Sequence, residues 1–451
     1  MVTRREALLA GVTAALTGAA AQTQGSARRP GTANLDFLGD QPLVNADRAR
    51  FFMRREGLDA IVVNRAPNVF YLSNHWPQHD RMGRPGTAMA ILPADPARPA
   101  ALVMGGFLYY YSHSPESRFF DRLVFPYTHA SQDTDSAGQP VAAPVRVMRV
   151  EDAQLVPPRE LHRRRMLELA APPAVDAAAA LANAVQALGL QQGRLGIDDP
   201  VLEPLLLSRN DQVRTVAAEN TLRRIRMAKS ATELQLMRLA AQNNVDAALA
   251  AAARVREHGS TREFRADFFA EAARRGNLGV FMVIDGSSSA VIDEPIREGM
   301  ALSIDCVSAC RFYHGDFGRT IFVGEPPRRM REVSTAIANA WTDIQGQLRA
   351  GMRFADIPRL GHASLRRQGM PLNVSFTPHS VGLFHTDQPQ PSLLGPQVQE
   401  ELLLEENMVL SVDCPVFETG LGGTTHLEDL MLIRKDGAEP IHTLPPPVLA
   451  V

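Results

Sequence analysis

The sequence predicts an α+β protein: an α/β first domain, then a second domain whose halves repeat one strand-and-carboxylate unit. Two observations lead there. The run "EGMALSIDC" at 298–306 returns 108 residues later as "ENMVLSVDC" at 406–414, identical at six of nine positions and ending each time on Asp-Cys. Short apolar runs alternate with stretches of helical period between residues 58 and 198, the pattern of strands and helices in turn. A chain of 451 residues at 45% hydrophobic can bury the core of two domains or of one large one.

Taken in order, "MVTRREALLAGVTAALTGAAAQ" opens the chain with a basic segment, an apolar run and small residues at Ala19, Ala20 and Ala21. Those parts predict a signal peptide over 1–21. Arg4-Arg5 after Thr3 resembles the twin-arginine class, so the protein is expected to be exported and periplasmic. No later segment reaches the roughly 18 continuous apolar residues of a span, so no membrane span is expected in the mature chain. Residues 22–44, polar with Gly and Pro, read as a linker.

The first domain is expected over 45–218. "LDAIVV" at 58–63, "TAMAIL" at 87–92, "PAALVM" at 99–104 and "RLGID" at 194–198 read as buried strands, and 174–188 as a helix stopped by Gly189. The second domain is expected over 219–451. Ser230 and Glu233 stand in capping-box spacing at the head of a long helix. A helix over 261–275, a strand over 280–284 and helices near 327–349 and 354–368 follow.

Composition excludes some functions. A formal net charge of −2 and a pI near 6.6 provide no field for nucleic acid or an anionic membrane surface. Three cysteines, Cys306, Cys310 and Cys414, are too few and too odd a number for a disulfide framework, and they read as small buried side chains.

The chemistry lies in the repeat. Asp305 and Asp413 end apolar strands, where a lone carboxylate would cost several kcal/mol to desolvate. Each is followed by another acid, Asp316 eleven residues on and Glu428 fifteen on. Two hairpins would bring the four carboxylates together, which a core tolerates only around metal ions. Between the halves, "SFTPHSVGLFHTDQP" carries His379 and His385. One imidazole with four carboxylates suits one or two divalent ions, Mn, Fe, Co or Zn, and points to metal-assisted hydrolysis. Singly, each Asp reads as a turn or cap residue and each His as core or surface; the duplication raises the set together.

These residues resemble the pita-bread metallohydrolases: Xaa-Pro aminopeptidases, prolidases, methionine aminopeptidases and creatinases (peptidase family M24). "GLDAIVVNRAPNVFYLSNHWP" at 57–77 is similar to the creatinase-type N-terminal domain, and "LRRIRMAKSATELQLMRLAA" at 222–241 to the start of the catalytic domain. The resemblance implies Asp305, Asp316, His379, Asp413 and Glu428 as metal ligands, from "YHGDFGRT", "HSVGL" and "HLED". It implies a metal-activated water, with Asp413 or Glu428 as proton-transfer group, and His385, His426 and His314 as candidate substrate contacts.

Four departures from the family pattern fall around the substrate. Ile292 stands where the peptidases carry a histidine, Thr386 where they carry a second, and His426 where they carry an arginine; Asp413 replaces a glutamate. An Xaa-Pro-type metallopeptidase with a reshaped pocket is therefore expected, acting on a small peptide or small polar substrate, and as a homodimer. The alternatives are a non-peptidase of the same fold, creatinase-like or dimethylsulfoniopropionate-lyase-like, and an inactive peptide-binding module.

Overall fold

Continuous apolar runs build the first sheet. The computed structural model describes residues 34–128, 130–138, 140–142, 156–391, 401–418 and 420–451; the expected signal peptide at 1–21 lies outside them. Strands β1 (Ala60–Val63), β2 (Ala88–Pro93), β3 (Ala100–Gly105), β4 (Arg122–Tyr127), β7 (Arg194–Ile197) and β8 (Arg214–Ala217) make a six-stranded sheet in the order β4-β3-β2-β1-β7-β8. β5 (Ala130–Thr134) and β6 (Pro140–Ala142) pair separately. Alternation sends Ile61 and Val63 into one core with Phe52 and Phe70, and Ala60 and Val62 into another with Leu181 and Val185. Both faces are buried, which is why β1 reads as an unbroken apolar run.

Among the described residues, six helices accompany this sheet: α1 (Ala46–Glu56), α2 (Ala66–Ser73), α3 (Gly106–Tyr111), α4 (Pro158–Leu169), α5 (Ala177–Ala187) and α6 (Leu202–Leu207). The helix expected at 174–188 begins at Ala177, because Asp176 caps it by accepting from the Ala179 N–H. The linker expected to run to 44 is a correction. From residue 34 the chain is folded, with a 3-10 turn at Asp36–Gly39 and with Leu38 and Leu43 fully buried. The Asn74 amide donates to the Leu38 and Gln41 carbonyls, so the two leucines gain burial without stranding their backbone.

The second half repeats one architecture. α7 (Glu219–Met227), α8 (Ala231–Ala252) and α9 (Thr261–Arg274) precede β9 (Leu278–Ile284), β10 (Ala301–Cys310) and β11 (Tyr313–Phe322). α10 (Arg328–Gln345) and α11 (Asp356–Arg367) precede β12 (Thr377–Ser380), β13 (Val409–Asp413), β14 (Met431–Ile433) and β15 (Ala438–Pro440), and β16 (Val448–Ala450) closes the chain. The sheets are ordered β16-β11-β10-β9 and β12-β13-β14-β15. Val245, Phe264 and Phe268 pack on Ile304 and Phe317 in the first, and Ile337, Trp341 and Ile357 pack on Val412 in the second.

Local signals hold where they were strong. Ser230 and Glu233 form the reciprocal capping box at the head of α8. That helix lies so close to β11 that a Cβ at Gly315 would stand 2.5 Å from Asn244 Cβ and 2.6 Å from the Ala240 carbonyl oxygen. α7 begins at Glu219. Leu222, Leu236, Tyr313 and Val409 share one core with Phe70 and Tyr71, so the described residues form a single compact unit.

Candidate metal centre

The ladder registers place the acids. β10 and β11 pair Asp305 with Gly318 and Val307 with Asp316, so the two aspartates are diagonal neighbours on one face. β12 and β13 pair Thr377 with Asp413 and His379 with Ser411, which makes His379 and Asp413 the equivalent diagonal pair. The segment carrying His379 is thus a strand. Glu428 departs from the expected second hairpin: β14 begins only at Met431, and Glu428 bridges to Gly318 of β11 instead. The two half-sheets meet at that bridge, and the acids converge there.

His379 is the hub. Its Nε2 lies 3.5 Å from Asp316 Oδ2, from Asp413 Oδ2 and from Glu428 Oε1. Each separation exceeds an ordinary N–H···O bond. Its Nδ1 lies 3.2 Å from the His385 carbonyl oxygen, a contact that puts the proton on Nδ1 and leaves the Nε2 lone pair facing the acids. His385 Nε2 stands 3.1 Å from Asp316 Oδ2, and His426 Nε2 3.1 Å from Glu428 Oε2. Ser411 Oγ donates to Glu428 Oε1.

Asp305, Asp316, His379, Asp413 and Glu428, proposed from sequence, therefore lie together, with His385 and His426 among them. Their ligand-capable atoms form two groups, Asp316–His379–His385 and Asp305–Asp413–His426–Glu428, each within 4.8 Å. His314 belongs to neither; its ring centre is 6.5 Å from that of His385. Ile292 is 45% exposed, and the Thr386 carbonyl accepts from Arg223. Reading the sequence missed Gly318 and Ser411, whose roles follow from register. It also missed the buried Arg226–Asp387 pair at 2.8 Å, whose members are 161 residues apart.

The electrostatics are those of a site built for cations. Burial, then the charges of Glu428 and Asp316, push the Asp305 carboxyl well above the usual range. Burial and Glu428 push Asp316 up to about 6. Burial also opposes the charge on Glu428, but His379 and His426 outweigh it and hold that carboxyl well below its ordinary value. His379 rises against its burial because of Asp413 and Glu428, and Glu428 draws His426 up to about 9.

Asp305 Oδ1, Asp316 Oδ1 and His379 Nε2 are buried and meet no hydrogen-bond partner among the described residues, and Asp316 Oδ2 faces only imidazole nitrogens. Orphaned buried oxygens are costly, and a divalent ion would satisfy them. The residues present fit such ions, with carboxylate and imidazole donors suited to Mn, Fe, Co or Zn. A cavity of about 610 Å³ beside Tyr109 and Leu167 in the first half shares no residue with this cluster, and the chemistry follows the acids.

A duplicated pair of half-sheets with acids and imidazoles at its seam is the pita-bread arrangement. The chain matches the pattern described as "Metallopeptidase family M24" over residues 235–435. It is 26% identical over 271 residues to "Probable dipeptidase PepE" of Mycobacterium tuberculosis, covering 56% of this chain and 68% of that one. A "Xaa-Pro dipeptidase" of Pyrococcus furiosus is 26% identical over 148 residues, 33% of this chain and 41% of that one. Among solved structures, a Xaa-Pro dipeptidase from Bacillus anthracis superposes with TM-score 0.63 at 16% identity, over 90% of this chain and 99% of that one.

Proposed function

We propose that this chain is an exported Xaa-Pro-type metallopeptidase with a reshaped substrate pocket, holding one or two divalent ions at Asp305, Asp316, His379, Asp413 and Glu428. The observation that carries the reading is His379 Nε2 at 3.5 Å from three carboxylates drawn from both halves. The names of the relatives support the substrate class. Arg4-Arg5 in the opening segment supports export to the periplasm, and the family resemblance supports a homodimer.

When bound, divalent ions would lower the pKa of water and polarise the scissile carbonyl. Water adds across the amide: the C–N bond breaks, hydroxyl goes to the carbonyl carbon and a proton to the leaving nitrogen. Asp413, with 28% of its side chain exposed, is the acid that can take and return that proton at Oδ2. Glu428 is fully buried and held by Ser411 and His426, so it serves as a fixed anchor. His385, with its side chain 32% exposed and edge-on to Phe281 at 5.3 Å, is positioned to contact substrate.

A second reading, a non-peptidase of this fold, is favoured by Ile292, half exposed and apolar where the peptidases carry an imidazole. Elemental mass spectrometry on chelator-free protein, together with hydrolysis of Ala-Pro and Gly-Pro dipeptides, tests both. Near two ions with cleavage supports the peptidase, and metal without cleavage supports the second reading. No metal after reconstitution removes the metal-dependent mechanism and moves the weight to metal-free catalysis or to peptide binding.

A further inference from the structure

His426 is almost fully buried: it is 5% exposed, two residues before Glu428, at the seam of the half-sheets. Its backbone is held from both directions by Thr320, whose Oγ1 accepts from the His426 N–H and donates to its carbonyl, each at 3.1 Å. The imidazole lies over Gly318, the residue paired with Asp305 across the ladder. A Cβ at 318 would stand 2.2 Å from His426 Cδ2 and 2.4 Å from Nε2, so the ring occupies space that any other residue at 318 would take.

That placement aims the ring at three acids. His426 Nε2 is 3.1 Å from Glu428 Oε2, and one nitrogen of His426 lies within 4.8 Å of an oxygen each from Asp305, Asp413 and Glu428. Its Nδ1 is buried and has no partner among the described residues. A neutral imidazole has a lone pair to offer, which arginine, the residue of the related peptidases at this position, does not.

We propose that His426 is a metal ligand, supplying a nitrogen to the half-site formed by Asp305, Asp413 and Glu428; the proposal rests on the metal-centre reading given above. Each half-site then holds an imidazole, His379 on one side and His426 on the other. A nitrogen in both moves selectivity from Mn toward Co and Zn.

The test uses full-length protein reconstituted with Co(II), as wild type, His426→Arg and Gly318→Ala. Arginine keeps a positive charge beside Glu428 and removes the lone pair; the alanine methyl displaces the ring. Metal content, the visible absorption of Co(II) and the hyperfine-shifted histidine resonances are read, with circular dichroism as the check on folding. Expected are two ions in wild type, and loss of one set of shifted histidine signals in both variants. The second ion should bind at least about 10-fold more weakly in His426→Arg. A His426→Arg protein with wild-type affinity and an unchanged Co(II) spectrum would show that His426 is only a charge partner and overturn the proposal. If His426→Arg does not fold, Gly318→Ala decides: retention of every shifted histidine signal also overturns it. Failure of the wild type itself to bind Co(II) would instead defeat the metal-centre reading on which this rests.

Discussion

Gly318 and Glu428 exchange both backbone hydrogen bonds, Gly318 N–H to the Glu428 carbonyl at 3.2 Å and Glu428 N–H to the Gly318 carbonyl at 3.0 Å. This one bridge joins sheets whose acids are supplied by strands more than a hundred residues apart. It also delivers Glu428 to the side of Asp305 and not directly across from Asp413.

Converging like charges predict an inverted effect for Asp305→Asn. Without metal the variant should be at least as heat-stable as wild type, because a buried carboxylate crowded by Glu428 and Asp316 is neutralised. Wild type should gain about 2.7 kcal/mol at a metal concentration 100 times Kd, and the variant should lose most of that gain. Thermal unfolding with and without metal measures both, and equal metal-induced shifts would contradict the assignment of Asp305.

The buried Arg226–Asp387 pair anchors the segment after His385. Both side chains are fully buried, and Arg226 also donates to Asn68 at 2.8 Å, linking the first half to the metal-bearing loop. Arg226→Ala should cost about 3–5 kcal/mol by stranding Asp387, whereas Arg226→Met with Asp387→Leu should cost distinctly less. Urea denaturation of the single and double variants reads the difference. Equal costs would mean that packing, not the unpaired charge, dominates.

His75 predicts a specific acid sensitivity. Burial, then the charges of Arg122 and His79, lower its pKa to about 3 in the folded chain, below the ordinary 6.5. The unfolded chain therefore takes up a proton below pH 6.5 that the folded chain refuses. Stability from this group is fully present above 6.5 and falls as pH drops toward 3, by up to about 1.4 kcal/mol per unit. His75→Asn should flatten the pH dependence in that window by about one proton. Unfolding free energies at pH 7, 6 and 5 for the two proteins measure it, and parallel curves would refute it.

Gly315 sets the distance between α8 and β11. Gly315→Ala should destabilise by about 1–3 kcal/mol, because the nearest atoms, Asn244 Cβ and the Ala240 carbonyl oxygen, are fixed by the helix backbone and cannot yield. Metal content should remain that of wild type, which distinguishes this change from Gly318→Ala. Chemical denaturation with metal analysis checks both.

Much of the site was legible because its signals are local. An apolar strand ending on Asp, written twice, requires a compensating cation wherever the strands pack, so Asp305 and Asp413 could be paired before any geometry was known. The helices of the second half were legible from period and capping, Ser230 with Glu233 being the clearest case. The segment at 34–44 was not, since its apolar residues Leu35, Phe37, Leu38, Leu43 and Val44 follow no sustained helical or strand period, and the burial of Leu38 and Leu43 reveals that it is folded.

By itself, then, the sequence determined the duplicated strand units, the acids they carry and the imidazole of His379 that accompanies them, because each depends on residue type and short spacing. Tertiary structure alone decided that Glu428 pairs with Gly318, that His426 fills the space a side chain at 318 would take, and that His385 stands beside Asp316. Those outcomes depend on register and close approach between segments about a hundred residues apart, where a shift of one residue turns a side chain to the opposite face. No local pattern records that choice; the packing of two half-sheets against each other makes it.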